Sequence, residues 1–221
     1  IDQHVMAGGG LVAMIDPYPR FNLENAVTAP SPSDEVNDLS DLLAAYGMRY
    51  AGAQIVGDAE YSTPVQASDG AALEYPYWLS IPAPALSNSH VVTSGLSLLR
   101  FAESGSFDLN GQIGTQGLVK ASTRSSQTPR DGFKDASIAE RVAAFQPANE
   151  GDYAVAAAAH GQLESAFPNA PEGAETATHR LNTSKGNVFA VADADWLFDP
   201  MLFQDTDRGD AALARPINDN S

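Results

Sequence analysis

Two aspartates that follow apolar runs occupy the positions in this chain that best suit ligand chemistry. Asp16 comes directly after the apolar run 11–15, and Asp193 follows the run 187–192. In open α/β sheets, ligands bind beyond the carboxyl ends of the strands. If both runs are strands of one parallel sheet, the two carboxylates meet at that edge. They could then bind a sugar hydroxyl, an amine or a cation, and we predict a ligand site there.

Neighbouring residues extend this predicted ligand site. Tyr18, in the sequence Asp-Pro-Tyr, supplies an aromatic wall, and Asp195, in Asp-Ala-Asp-Trp, supplies a further acceptor. The alternative interpretation is that the aspartates cap the turns that follow them, because a short carboxylate readily accepts backbone N–H groups. For Asp195 and Asp199, capping or solvation is the simpler interpretation. The sequence leaves both alternatives open.

His160 is the remaining candidate of the predicted ligand site. It follows an alanine-rich apolar run, 152–159, and is therefore also placed near a strand end. A histidine there suits a general base, although most such histidines are hydrogen-bonded polar groups in turns. If His160 converges with Asp16 and Asp193 in one cleft, a hydrolase or transferase is favoured. If backbone amides cap the aspartates and side chains fill the cleft, that hypothesis weakens.

Other catalytic and metal-binding motifs are missing from the sequence. The chain has no cysteine, no Gly-x-Ser-x-Gly elbow and no Gly-x-x-x-x-Gly-Lys phosphate loop. Its four histidines do not form a metal-binding spacing: His4, His90, His160 and His179. The stretch 205–210 is similar to a calcium loop, but its glycine falls one position early and Pro216 replaces the bidentate glutamate. We therefore predict no catalytic residue, no metal ion and no cofactor.

Two further segments have two interpretations each. Tyr75, Tyr77 and Trp78 could line a carbohydrate or peptide groove, or simply alternate between the two faces of a strand. Residues 122–137 contain the most basic stretch of the chain, which is typical of a mobile loop and would also suit docking of an anionic partner. Neither segment decides the function.

Apolar periodicity predicts helices and strands in alternation at both ends of the chain. A helix over 1–7 ends at the glycines 8–10, and a strand over 11–15, buried on both faces, follows them. A second helix over 36–46 ends at Gly47. A helix that leads into a buried strand is half of a βαβ unit whose first strand is missing. We therefore expect this chain to be part of a longer protein.

The fold expected from this alternation is α/β. We predict a Rossmann-like or amidotransferase-like sheet, mostly parallel and flanked by helices, in one domain over 1–221. Short β-like runs in the middle predict a β-rich insertion or subdomain over 91–150. The remaining elements are predicted as follows: strands at 48–51, 54–56, 75–81, 98–102, 107–109, 118–122, 152–160 and 187–192, loops at 57–70 and 168–185, and a short helix at 196–203.

Composition limits the classes of partner. The chain has 221 residues, a formal net charge of −16 and 43% hydrophobic residues. Such an acidic surface is repelled by nucleic-acid phosphates and by anionic lipid headgroups, so we predict neither as a partner. No apolar run approaches the length of about 18 residues that a membrane-spanning helix needs. Any membrane anchor must therefore lie outside this segment.

Several segments, in order, resemble a known family. The first twenty residues, IDQHVMAGGGLVAMIDPYPR, are similar to the helix, Gly-Gly, strand and Asp-Pro segment of the auxiliary (GldG-like) components of gliding-motility-type ABC transport systems. The other similar segments are LSDLLAAYGMRY, YPYWLSI with SNSHVVTSGLSLLRF, GNVFAVADADWLFDP and RPINDNS. Together they cover nearly the whole chain.

This resemblance implies a setting more than a reaction. It implies an α/β domain at the extracytoplasmic, periplasmic face of the bacterial cytoplasmic membrane, held by membrane helices outside this segment. The function expected is a non-catalytic domain that binds an ABC permease, an ATPase or another envelope protein, or a small ligand at the Asp16 and Asp193 edge. The alternatives are the hydrolase or transferase described above and a solute-binding module. The oligomeric state is not predicted.

Overall fold

Strands dominate the architecture of this protein, for which we use a computed structural model. The structure describes residues 1–19, 39–66, 70–111, 114–133, 135–148, 151–170, 172, 178–198, 202–208 and 211–220. Within these residues there are three short α-helices: α1 Asp2–Met6, α2 Ser40–Ala45 and α3 Ile138–Ala144. The same residues form thirteen strands: β1 Gly10–Met14, β2 Met48–Tyr50, β3 Gln54–Asp58, β4 Ser62–Gln66, β5 Ala72–Pro82, β6 Leu98–Ala102, β7 Phe107–Leu109, β8 Thr115–Lys120, β9 Ser125–Pro129, β10 Ala154–Glu164, β11 Asn182–Val191, β12 Phe203–Arg208 and β13 Ala211–Pro216.

The main sheet has six strands and is mixed. Its order is β1-β11-β10-β7-β2, and β8 also pairs with β10. Among the described strand pairs only β1 and β11 run parallel, whereas β10 pairs antiparallel with β11, β7 and β8. Three smaller units, β4-β5-β6, β3-β9 and β12-β13, are also antiparallel.

The predicted Rossmann-like, mostly parallel sheet flanked by helices is therefore wrong. Parallel neighbours need a long crossover, usually a helix, whereas a chain that turns back on itself makes antiparallel neighbours. β10 and β11 are the two longest strands of the main sheet, and Glu164 at the end of one pairs with Asn182 at the start of the other. The chain reverses direction between these two strands. Hydrophobic patterning located both strands but did not reveal that they run antiparallel.

Several predicted strands are confirmed individually. β6 and β7 begin and end at the predicted residues, and β5 and β10 contain or overlap the strands predicted at 75–81 and 152–160. The predicted loop at 57–70 contains β4, and the segment 122–137 contains β9. β11 begins inside the predicted loop at 168–185. The first residues of this strand are polar and exposed, so they carry no apolar pattern from which a strand could be predicted.

The amino-terminal segment folds as predicted, except for the burial of its strand. α1 is followed by Gly8, whose positive φ of 90° reverses the chain, and then by β1. β1 is not buried on both faces: Val12 is 62% exposed and Met14 is 40% exposed. α2 ends before Gly47 as predicted, and residues 36–38 lie outside the described residues. Within the helix predicted at 196–203, the structure has a 3₁₀ turn over Asp195–Leu197, and residues 199–201 lie outside the described residues.

The core lies on both faces of β10. Residues 154–159 are completely or almost completely buried. Ala157 and Ala159 belong to the cluster beneath α1 and α2, whereas Ala156 and Ala158 belong to the cluster that includes β5 and β6. Since alanine side chains are small, both layers come close to the strand, as the sequence indicated. Because β11 pairs with β10 along nearly its whole length, this central strand also sets the position of both ends of β11.

Asp2 anchors α1 to the rest of the molecule. Its buried carboxylate accepts hydrogen bonds from the Tyr46 hydroxyl (2.9 Å), the Ser165 hydroxyl (2.7 Å), the Ala166 amide (3.1 Å) and the Gln3 side chain (2.9 Å). Burial acts to raise the pKa of Asp2, but the four hydrogen bonds outweigh it and leave the pKa below the ordinary value of 3.8. The ionised form is therefore the one that the fold stabilises.

We expect Asp2→Asn to lower the free energy of unfolding at pH 7 by about 1–3 kcal/mol, because an amide cannot accept all four hydrogen bonds. A lowered carboxyl pKa contributes stability that is present above the unfolded value and lost as the pH falls through the folded value. The difference between wild type and variant should therefore shrink below about pH 4. Urea unfolding at pH 7 and pH 3 measures it, with the exposed Asp152→Asn as control. An equal difference at both pH values would contradict this assignment.

Candidate functional site

Three carboxylates meet where β1 and β11 end. Met14 pairs with Val191 in the parallel register, so Asp16 and Asp193 each lie two residues beyond that pair. Asp195 follows on the 3₁₀ turn. One carboxylate oxygen from each of the three lies within 4.8 Å of the others. We call these residues the acidic cluster. The sequence brought Asp16 and Asp193 to one edge because their strands are parallel neighbours.

Backbone amides hold two members of the acidic cluster in fixed positions. Asp16 accepts hydrogen bonds from the amides of Tyr18 (2.7 Å) and Ala194 (3.0 Å). Asp193 accepts from the amides of Ala102 (2.7 Å) and Asp195 (2.7 Å). The capping alternative is therefore present in the structure. Each carboxylate oxygen has two lone pairs and uses one of them in these bonds, so acceptor capacity remains.

The acidic cluster places three carboxylates close together in a largely buried setting. Asp193 is completely buried and Asp195 is 4% exposed. Burial and the charge of Asp195 raise the pKa of Asp16 to about 8, despite the two amide hydrogen bonds. Burial and the charge of Asp16 also raise the pKa of Asp193 well above its usual range. Three adjacent carboxylates in this setting favour either protons or a cation.

Tyr50 places a phenol hydroxyl beside the acidic cluster. Its side chain is buried, and its hydroxyl has no hydrogen-bond partner among the described residues. A Cβ on Gly105 would lie 3.0 Å from the ring edge of Tyr50 and 3.3 Å from Pro17, which follows Asp16. The Gly105 amide also donates to the carbonyl of Ala192, which precedes Asp193. The ring of Tyr50 thus lies near both strand ends, and burial together with the charges of Asp16 and Asp193 raises the pKa of its hydroxyl.

Glu103 forms a second polar group near the acidic cluster. It has a positive φ of 49°, unusual for a residue other than glycine, and is completely buried. Its carboxylate accepts hydrogen bonds from the Tyr75 hydroxyl (2.8 Å) and the Trp78 indole (3.1 Å), and it lies 3.5 Å from the Arg141 guanidinium. The Glu103 charge contributes to the raised pKa of Asp16. No sequence pattern around Glu103 or Arg141 indicates this ion pair.

The predicted aromatic residues serve the interior. Tyr18 is buried, packs edge-on against Phe133 at 5.7 Å between ring centroids, and accepts a hydrogen bond from Arg141 (3.4 Å). Tyr75 and Tyr77 are also buried and make T-shaped contacts with their neighbours. Of these rings, Tyr77 lines a cleft of about 560 Å³ next to Arg141, whereas Tyr18, Tyr75 and the three aspartates are not among its lining residues.

His160 lies away from the acidic cluster. In the antiparallel pairing of β10 with β11, His160 is opposite Asn187, whereas Ala156 is opposite Val191. At about 3.3 Å per residue, His160 is more than about 13 Å along the sheet from the end that carries Asp193. Its ring stacks on His90 at 4.9 Å, with 2.8 Å between the two Nε2 atoms. The convergence that a hydrolase or transferase would need is not formed by these three residues.

Comparison with known protein families identifies the family of this chain. The family model described as an ABC-type uncharacterized transport system matches residues 1–216. The chain belongs to this ABC transport auxiliary family. A search of the curated proteins found no match. Membership in the family confirms the resemblance stated from the sequence and establishes a transport-associated accessory role.

The ABC transport auxiliary family match contains every feature of the site. α1, β1, β11, the acidic cluster and Tyr50 all lie inside residues 1–216. In the described part of the chain, the helices are all too short or too polar to cross a bilayer. Sequence reasoning found the three aspartates but missed Tyr50, Glu103 and Arg141, whose partners are distant in the chain.

Proposed function

We propose that this domain is a non-catalytic subunit of an ABC transporter, at the periplasmic face of the cytoplasmic membrane, that binds the permease of its own system. The observation that carries this proposal is the edge of the main sheet formed by β1. In the described residues β1 pairs only with β11, so its other edge presents unpaired N–H and C=O groups. Such an edge is a template for a strand from another chain.

Side chains on the same strand support a protein partner. Val12 and Met14 point to one face of β1 and are exposed, while Ala13 points to the opposite face and is buried under α1 and α2. Val12 is paired with Phe189, which is also only partly buried and extends the apolar face. Natural proteins protect open, apolar edges with charges, proline or a partner. A short extended segment of the permease would cover this one.

The test is co-purification of the tagged parent protein from native membranes in mild detergent. We expect the ABC permease and ATPase to be recovered in stoichiometric amounts, as identified by mass spectrometry. The paired substitution Val12→Lys and Met14→Lys should reduce their recovery at least about tenfold, because it places two charges in an apolar interface. Val91→Lys is the matched control, since Val91 is 88% exposed on a loop elsewhere.

Two results would contradict the proposal. One is recovery of the tagged protein alone at both low and moderate salt. The other is undiminished recovery of the transporter with the Val12→Lys and Met14→Lys variant, combined with a lower stability of that variant. This result would mean that another segment of the parent protein covers the edge. Far-ultraviolet circular dichroism of each variant separates a loss of binding from a loss of folding.

A further inference from the structure

We propose that the acidic cluster and the Tyr50 hydroxyl form a binding site for one hard divalent cation, and that Ca²⁺ is the preferred ion. The site lies at the carboxyl ends of β1 and β11. It is independent of the partner surface on β1, because it uses the end of the strand and not its free edge. The inference rests on three observations: distance, an unpartnered buried hydroxyl, and the chemistry of the donors.

The distances suit a single ion. One oxygen from each of Asp16, Asp193 and Asp195 lies within 4.8 Å of the others. Ca²⁺ binds oxygens at about 2.3–2.6 Å, so three oxygens this close together can all contact one ion. Ca²⁺ accepts irregular sets of six to eight oxygens, whereas Mg²⁺ demands a nearly ideal octahedron and retains several waters. A cluster fixed by its own strands and backbone amides therefore suits Ca²⁺ better than Mg²⁺.

The Tyr50 hydroxyl is the second observation, and it does not depend on the carboxylates. Tyr50 is only 6% exposed, so a hydroxyl without a hydrogen-bond partner is costly there. Its ring lies between Gly105 and Gly52, and a Cβ at either position would come within 3.0 Å of it. This packing places the ring near Pro17, which follows Asp16, and the charges of Asp16 and Asp193 act on its hydroxyl. A bound ion, or a water on that ion, would give it a partner.

The type of donor selects the class of ion. All the donors are oxygens, and neither histidine nor cysteine belongs to the cluster, which favours hard cations over zinc or copper. Backbone amides already orient the carboxylates of Asp16 and Asp193, so these side chains would need little further ordering when an ion binds. Asp16 is the least buried of the three and is the side from which an ion can enter. A positive charge here would offset the repulsion between the carboxylates.

The experiment uses the purified protein after treatment with EDTA and dialysis. Isothermal titration with Ca²⁺, Mg²⁺ and Mn²⁺, each up to about 10 mM, covers the affinity range of extracellular calcium modules. We expect one Ca²⁺ per chain, weaker binding of Mg²⁺, and a rise in Tm with Ca²⁺. Asp195→Asn should weaken Ca²⁺ binding at least about tenfold, since it removes one of three charges. The matched control is Asp152→Asn, which alters an exposed carboxylate.

Tyr50→Phe tests the hydroxyl separately. We expect it to weaken Ca²⁺ binding by about two- to tenfold, which corresponds to the loss of one hydrogen bond. Tb³⁺ provides a readout that needs no variant, because nearby tyrosine rings sensitise its luminescence and Ca²⁺ should displace it. The proposal is overturned if the wild-type protein shows neither Ca²⁺ heat nor displaceable Tb³⁺ luminescence, or if Asp195→Asn binds as well as wild type. Recovery of the permease does not enter either result.

Discussion

Replacing Arg141 by methionine should lower the free energy of unfolding by about 3–5 kcal/mol. The Arg141 guanidinium lies 3.5 Å from the buried Glu103 carboxylate, and their side chains are 9% and 0% exposed. Methionine fills a similar volume but leaves that carboxylate without its counter-charge. Removing one partner of a buried ion pair is costly because the other charge remains desolvated.

The surroundings of Arg141 increase the expected loss. The guanidinium also donates to the Tyr75 hydroxyl (3.0 Å) and to the carbonyl of Phe133, and it lies over the Phe133 ring at 4.6 Å from the centroid. α3, which carries Arg141, begins with a capping box formed by Ser137 and Glu140, so the residue is held at a fixed place on β5. One substitution therefore removes contacts to three residues: Glu103, Tyr75 and Phe133.

A double-mutant cycle separates the ion pair from the packing of Arg141. Urea unfolding of Arg141→Met, Glu103→Gln and the double variant should give a coupling energy above about 1 kcal/mol, because the residues are in contact. Arg49→Met is the control, since its ion pair with Asp108 is 76% and 60% exposed and contributes less than about 1 kcal/mol. Equal losses for Arg141→Met and Arg49→Met would contradict the importance of the buried pair.

Asp58→Ala should be the second most damaging substitution, with a loss of about 4 kcal/mol in the free energy of unfolding. The Asp58 carboxylate is completely buried at the end of β3. It accepts hydrogen bonds from the Ser122 amide (2.6 Å), the Ser122 hydroxyl (2.7 Å) and the amides of Glu60 (2.7 Å) and Tyr61 (3.1 Å). Alanine would leave the two Ser122 donors buried and unpaired, at about 1–3 kcal/mol each.

Asp58→Asn is the matched control for this effect. Asparagine keeps the shape of the side chain and one acceptor oxygen. We therefore expect Asp58→Asn to lower the free energy of unfolding by about half as much as Asp58→Ala. Guanidinium unfolding of both variants, monitored by tryptophan fluorescence, measures the difference. A loss below about 1 kcal/mol for Asp58→Ala would show that water replaces the carboxylate, and the loop around Ser122 would then not depend on β3.

Local patterns predicted local structure in this chain, and the limits of prediction follow from strand direction. β6 and β7 were found at their observed residues, since each is a short apolar run between turn-forming residues. Apolar spacing does not tell which way a strand runs. The parallel pairing of β1 with β11 brought Asp16 and Asp193 together as predicted, whereas the reversal of β10 placed His160 opposite Asn187, in the middle of β11.

Contacts between distant residues were beyond reach of the sequence. Tyr50 ends a three-residue strand, and nothing near it in the chain indicates that its hydroxyl lies beside Asp16. Glu103 meets Arg141 only because β5 and α3 pack together. Charged residues in exposed segments look the same in sequence as the few that are buried, so the ion pair could not be distinguished.

The pairing of β1 with β11 also determines when this domain can be completed during synthesis. β1 leaves the ribosome long before β11, its hydrogen-bonding partner, which begins at residue 182. Until β11 is made, β1 lacks this pairing, and Asp16 has neither the Ala194 amide nor the other two carboxylates near it. The pairing of β1 with β11 and the acidic cluster therefore form together, in a closing step that joins two segments far apart in the sequence.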